Sequence, residues 1–263
     1  LKYNSNSNVT NKIYISTSPL YEAVGQNNIS IVQRLLSVES LDMNLSSEIL
    51  PTPVKLAFNY GNHQIVKLFV DKGNPEAMYL YGKLIEDGKN IKADIEEAIK
   101  YYKMSAELGN ADGMISYAIN LFKNKINYEE AAKYLKMAAD KNHLDGLFMY
   151  SRVLDKGLGV EANKEKSRMY MKLAADKYHI DAANCYGVCL HHGDGVPVNN
   201  KEAIKYFKIA ADQYSPIGYR NYAYMLFNGY GVEANKKEGI KYYEKSENSG
   251  CTKAMIEYGN ILL

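Results

Sequence analysis

Residues Gly146–Ala175 read GLFMYSRVLDKGLGVEANKEKSRMYMKLAA, and the pattern in this stretch returns along most of the chain. GLFMYS places a small residue four before Tyr150 and another just after it. The same frame is found in AMYLYG (Ala77–Gly82), GMISYA (Gly113–Ala118), AANCYG (Ala182–Gly187), GYRNYA (Gly218–Ala223) and AMIEYG (Ala254–Gly259). The tyrosines Tyr81, Tyr117, Tyr150, Tyr186, Tyr222 and Tyr258 are 36, 33, 36, 36 and 36 residues apart. A second frame follows, with SRMYMKLAA (Ser167–Ala175) matching AIKYYKMSA (Ala98–Ala106), AAKYLKMAA (Ala131–Ala139), AIKYFKIAA (Ala203–Ala211) and GIKYYEKSE (Gly239–Glu247). It is centred on Tyr101, Tyr134, Tyr170, Tyr206 and Tyr242. Eleven tyrosines in two registers define an internal repeat.

Both frames predict helices. Around Tyr150 the apolar residues Leu147, Val153 and Leu154 fall with it within about 60° of one line, an amphipathic stripe. Gly146, and the pairs Ala138/Ala139, Ala174/Ala175 and Ala210/Ala211, are small enough to let a partner helix come close. Glycine turns separate the helices: Gly157–Glu165, Gly193–Glu202 and Gly229–Glu238. Glycine reaches positive φ at a helix end at little steric cost. Asn163, Asn199 or Asn200, and Asn235 stand where the next helix needs an N-cap. A single pair cannot bury its stripe, so adjacent pairs must stack. The recurring tyrosines then fill the core of each pair, with the hydroxyl at its edge.

The period, the paired small residues, the Gly-x-Gly-Val turn and the Ala-Ala end of the second helix resemble Sel1-like repeats, relatives of the tetratricopeptide repeat. The resemblance spans Asn74–Leu263, five full repeats and part of a sixth. It implies an all-α fold, a right-handed superhelical solenoid of antiparallel helix pairs. The chain departs from that family in using Tyr where the first helix usually has Leu, and Tyr where the second has an aromatic that is often Trp. Its second repeat, with FKNKINYEEA (Phe122–Ala131), has lost three residues and the glycine turn.

The sequence before residue 74 has another period. SPLYEAVGQNNISIVQRLL (Ser18–Leu36) aligns with TPVKLAFNYGNHQIVKLFV (Thr52–Val70) at a spacing of 34. The pair resembles ankyrin repeats, which imply two more helix pairs over residues 17–73. Residues 1–16, rich in Asn and Ser, read as a leader. Asp71–Asn74 is too short for a flexible linker, so the two arrays are expected to stack directly. Leu1, and an end at Ile261–Leu263 inside an apolar pattern, suggest a piece of a longer chain.

Composition narrows the function. Lys and Arg number 32 against 30 Asp and Glu, a net charge of +2, which argues against nucleic acid as the main partner. There is no apolar run of about 20 residues and no signal peptide. Three cysteines make no disulfide framework and suggest reduced thiols in a cytoplasmic protein. Asn-x-Ser/Thr sequons start at Asn8, Asn28 and Asn44, as expected by chance in so Asn-rich a chain. Phosphate-binding, dinucleotide, Gly-x-Ser-x-Gly and His-Glu-x-x-His motifs are all missing, so no catalytic or cofactor-binding residue is assigned. Cys185, Cys189, His191, His192 and Asp194 offer metal-ligand chemistry. Helical spacing puts the cysteines near the core stripe and His191 opposite, so packed thiols and surface histidines are expected, with no metal.

The first helices should line the inner face of the stack. Their outward residues, at −2, +2 and +5 from the tyrosine, are Phe148, Arg152 and Asp155; Asn184, Val188 and His191; and Arg220, Tyr224 and Phe227. So many aromatic and aliphatic residues suit a groove for a peptide or protein; alternatively some pack against the neighbouring repeat. The expected function is a protein–protein interaction scaffold or adaptor. The alternative is the non-catalytic repeat region of a larger enzyme, such as a protein kinase or ubiquitin-pathway protein. The oligomeric state is open.

Overall fold

The computed structural model describes residues 18–38, 41–44, 50–88, 91–254 and 256. The leader, Tyr258, the apolar end and most of the partial sixth repeat lie outside the described residues. Every regular element described is a helix. Consecutive helices pair and the pairs stack as a solenoid, within each of two compact units, residues 1–108 and 109–263.

The first unit holds α1 (Pro19–Gly25), α2 (Ile29–Leu36), α3 (Pro53–Asn59), α4 (His63–Asp71), α5 (Pro75–Asp87) and α6 (Ile95–Glu107). The spacing of 34 is visible in the capping. Ser18 and Thr52 each accept an N–H three residues on and precede a proline. Asn28 and Asn62 repeat that cap at α2 and α4. Helix α1 packs on α3, and α2 on α4. The chain runs through Asp71–Asn74 into α5 without a linker. Buried Asn74 caps α5, and α4 packs on α5.

The second unit holds α7 (Ala111–Lys123), α8 (Tyr128–Asp140), α9 (Leu144–Lys156), α10 (Lys164–Asp176), α11 (Ile180–His192), α12 (Asn200–Asp212), α13 (Pro216–Asn228) and α14 (Lys236–Asn248). Odd-numbered helices carry the first tyrosine frame and even-numbered helices the second. Within each pair the two tyrosines meet edge to face. Tyr150 and Tyr170 lie 5.0 Å apart at 85°, Tyr186 and Tyr206 4.9 Å apart at 88°, and Tyr222 and Tyr242 4.8 Å apart at 89°. This is the geometry the ring quadrupole favours. Tyr117 with Tyr134 repeats it, as does Tyr81 with Tyr101 in the first unit. All five first-frame tyrosines are buried.

The small residues do what their spacing suggests. A Cβ on Gly146 would lie 2.8 Å from the Cβ of Ala138, and one on Gly218 would lie 2.7 Å from the backbone of Ala210. Both glycines sit where a first helix crosses the Ala-Ala end of the preceding second helix, and only hydrogen fits. Gly157, Gly193 and Gly229 close α9, α11 and α13 in the left-handed conformation. Asn163, Asn199 and Asn235 cap the helices that follow, so Asn199 rather than Asn200 takes this role. In the shortened repeat α7 and α8 keep 13 residues each. The three missing residues come out of the turn, where Lys125 takes φ 53° in place of glycine.

Candidate functional site

The face formed by α9, α11 and α13 in the second unit carries the candidate residues. Position +2 behaves as its spacing predicts: Arg152, Val188 and Tyr224 are exposed in three successive repeats. Position −2 does not stand outward in the first two of them. Phe148 and Asn184 are 8% and 6% exposed, because this position faces the N-cap of the next first helix. The Phe148 ring lies 4.9 Å from that of His179, and Asn184 Nδ2 donates to Ser215 Oγ at 3.1 Å. They form the floor of the groove. Arg220, the third −2 residue, is half-buried.

Position +5 diverges further. The Asp155 carboxylate pairs with Arg168 at 2.8 Å. His191 Nδ1 meets Asn200 Oδ1 at 2.7 Å, and its ring packs 5.8 Å from Tyr224 and 5.2 Å from Tyr230. Phe227 leaves the face altogether. It packs on Gly239 of α14 under the Lys236 ammonium, 5.4 Å from the ring centre.

Two hollows open on this face. One, of about 500 Å³, is lined by Phe148, Arg152, Asp155, Arg168, Asn184, Cys185, Val188, Ile217 and Asn221, among others. The other, of about 420 Å³, is lined by Val188, His191, His192, Phe207, Arg220, Asn221 and Tyr224. Val188 and Asn221 border both, so the two form one groove along α9, α11 and α13. Asp181 and Ile217 at −5, and Cys185 and Asn221 at −1, line it beside the +2 residues. Read together, the exposed stripe runs −5, −1, +2, one residue beyond the −2 frame. A third hollow, of about 460 Å³, lies among Asp176, Lys201, Lys205 and Tyr206, away from this face. Its Asp176 is already held by Lys172 and the Tyr206 hydroxyl.

Among the described residues no three His, Cys, Asp or Glu side chains converge. Burial pushes the Cys189 thiol up to about 11 and raises that of Cys185. Cys189 is packed in the core. Cys185 is accessible from the groove, which its place beside the core stripe did not indicate.

A family model for the Sel1 repeat matches residues 75–110, 121–143, 144–179, 180–215 and 216–251. The chain belongs to the Sel1 repeat family. A crystal structure of a Sel1 repeat protein from Oxalobacter formigenes is 22% identical, with a TM-score of 0.69 over 77% of this chain and 83% of that one. Another, of c5321, a protective antigen present in uropathogenic Escherichia coli strains and displaying an SLR fold, is 19% identical, with a TM-score of 0.73. That match covers 94% of this chain and 52% of the antigen, so the chain spans about half its length. At these identities the likeness concerns the fold. No curated protein sequence matches the chain. The family match begins at residue 75 and leaves α1–α4 outside it. Sel1 repeats generally serve protein–protein interaction and are typically non-catalytic. No helix among the described residues is long and apolar enough to cross a membrane.

Set in the Sel1 register, the most informative side chain is one that spacing alone did not single out. Arg168 occupies −2 in its second helix, where the other repeats carry Ile99, Ala132, Ile204 and Ile240. It is 3% exposed. Its guanidinium meets Asp155 at 2.8 Å and Asp194 at 2.5 Å, and donates to the Asp194 carbonyl at 2.9 Å. Asp194 in turn sits in the glycine turn after α11, where the other repeats have Leu158 and Tyr230, and also pairs with Lys164 at 2.8 Å. Burial opposes the Arg168 charge, but the carboxylates of Asp155 and Asp194 favour it, and the pKa is raised. Lys164, with help from Arg168, holds the Asp194 carboxyl below its usual range. Two departures from the repeat, Arg168 and Asp194, thus meet beside Asp155, tie the third repeat to the fourth and wall the larger hollow. A column-by-column comparison of the repeats carries that signal.

Proposed function

We propose that this Sel1 repeat chain is an interaction scaffold that holds a peptide or protein along the face of α9, α11 and α13. The observation that carries the reading is the continuity of the two hollows through Val188 and Asn221. A groove across three repeats, floored by Phe148 and Asn184 and edged by Arg152, Arg220 and Tyr224, has the size and the aromatic–Arg chemistry of a recognition surface. Family membership points the same way. The net charge of +2 favours protein over nucleic acid, and free thiols at Cys185, Cys189 and Cys251 suit a cytoplasmic setting. The chain acts by binding rather than catalysis, as is typical of the family. For residues 17–73 an ankyrin-type origin is supported by matched caps 34 residues apart. Arg220→Glu combined with Tyr224→Ala should abolish capture of a protein partner from lysate and leave the helical circular dichroism unchanged. Capture that survives the double change refutes the groove.

A further inference from the structure

Three successive second helices of the second unit, α8, α10 and α12, carry an apolar residue at +3 from the tyrosine: Met137, Leu173 and Ile209. Met137 and Leu173 are exposed and Ile209 is half-buried. The next second helix has Lys245 at this position, so the stripe ends there. One turn before and one turn after the stripe come Lys133 and Lys141 on α8, Met169 and Lys177 on α10, and Lys205 and Gln213 on α12. The four lysines are exposed and form no ion pair among the described residues. The nearby carboxylates are already engaged. Asp140, Asp176 and Asp212 pair with Lys136, Lys172 and Lys208 at 2.7, 2.8 and 2.7 Å, and Glu130 and Glu202 bond to the cap residues Asn127 and Asn199.

Two further features of this side have no use in the fold. Met169 is exposed where the other second helices carry Lys100, Lys133, Lys205 and Lys241. Tyr178 and Tyr214, in the turns after α10 and α12, are 66% and 80% exposed at φ 65° and 63°. The equivalent turns of the unit have Gly109, Asn142 and Gly250, which reach this conformation readily, whereas a bulky side chain there is strained. Strain with no packing to offset it points to a use outside the fold.

We infer that this side of α8, α10 and α12 docks on an anionic lipid bilayer. The lysines meet the headgroup phosphates and carboxylates, Met137, Met169, Leu173 and Ile209 reach the acyl boundary, and the Tyr178 and Tyr214 rings sit at headgroup level. Charge calls for an anionic occupant, because the lysines beside the stripe are free and the acids are not. Shape favours a bilayer over an acidic protein. The side chains concerned project from helix ridges and turn tips. A protein partner needs matching hollows of its own, whereas a lipid interface takes projecting aromatic and aliphatic groups without them. The hollow of about 460 Å³ between Tyr178 and Ile209 has Asp176 and Glu202 against Lys201 and Lys205, so its charges cancel and it selects no anion by itself. This surface lies on other helices than the groove, and the two readings stand separately.

In the test the full chain is sedimented with vesicles of phosphatidylcholine alone and of phosphatidylcholine mixed with phosphatidylserine. The expected result is binding to the mixed vesicles, little to phosphatidylcholine alone, and release as NaCl rises from about 0.05 to 0.5 M. Lys133→Gln with Lys177→Gln should weaken binding roughly thirtyfold, about fivefold for each lysine. Tyr178→Asn with Tyr214→Asn keeps the left-handed turns, as Asn142 does, and should weaken binding about tenfold without lowering the melting temperature. A merely structural role for the rings would lower it. The chain contains no tryptophan, so Leu173→Trp provides a single fluorophore. Its emission should move to the blue on mixed vesicles, and that of Val188→Trp in the groove should not. Equal binding to both vesicle types, no binding to either, or indifference to the lysine and tyrosine changes overturns the inference. So does a blue shift of Leu173→Trp with a soluble Glu-rich amphipathic helix and none with vesicles, which would assign the surface to an acidic protein.

Discussion

Replacing Arg168 with Ala removes a buried cation from between two carboxylates. Breaking a buried pair costs about 3–5 kcal/mol, because the abandoned partner stays desolvated. Here the side chains of Asp155 and Asp194 are 33% and 45% exposed, so water can reach them. That places the cost near the low end, about 3 kcal/mol. For a unit of roughly 150 residues each kcal/mol lowers Tm by about 2–4 °C, so the expected loss is about 6–12 °C. A second variant separates charge from packing. Changing Arg168 to Ile, Asp155 to Leu and Asp194 to Leu replaces the cluster with residues that fit an apolar register. Such replacements are often near neutral, and the cost should stay within about 1 kcal/mol. Thermal melts by circular dichroism, with hydrogen exchange over α10 and α11, measure both. An Arg168→Ala protein within 2 °C of the parent, roughly under 1 kcal/mol, refutes the buried-ion account. So does a triple variant as weak as Arg168→Ala. The cluster also has an acid limit. The folded pKa of Asp194 is depressed, so its contribution is present above the ordinary aspartate value and lost as pH falls through the folded one.

Other expectations follow from single contacts. His143 Nε2 lies 3.3 Å from Asp112 Oδ1 across adjacent repeats; hydrogen bonding to Asp112 raises the histidine pKa against the effect of burial. Its stabilisation should be complete below about pH 6.5 and fade as pH rises through the folded value, a slope that His143→Asn removes from denaturation midpoints taken between pH 5 and 8.5. Tyr214 is 80% exposed at φ 63°, a conformation costly for a bulky side chain, whereas Asn142 holds the matching place in the second repeat. Tyr214→Asn should raise stability by about 0.5–1 kcal/mol in urea titrations, and a decrease would show that the ring matters where it stands. Gly218→Ala drives a Cβ into the Ala210 backbone. It should cost about 1–3 kcal/mol by urea midpoint, and an unchanged midpoint would show that α12 and α13 separate freely.

The fold was legible because the repeat states its rule many times over. Tyr150 alone fits many structures, but Tyr81, Tyr117, Tyr186 and Tyr222 at the same register require a common pair, and each pairs with the second-frame tyrosine. The caps were equally plain, since Asn163 and Asn235 stand between a glycine turn and an apolar run. The groove was harder to read. A helical wheel places Phe148 and Asn184 outward, but the wheel knows nothing of the N-cap of the next helix, and His179 and Ser215 cover them. Phe227 was lost to α14 because Gly239 leaves room for it there. Arg168 escaped notice because a basic residue on a helix normally faces water. Its burial depends on Asp155 and Asp194, distant in sequence and joined only by the stacking.

The groove itself is open to one direct measurement. A photo-crosslinking amino acid placed at Val188, where the two hollows join, is compared with one at Leu173, exposed on α10 and outside both. With both variants folded and the full chain irradiated in lysate, a covalent adduct to a partner protein should form from Val188 and not from Leu173. Adducts of equal yield from both positions, or from Leu173 alone, contradict the assignment of the α9–α11–α13 face.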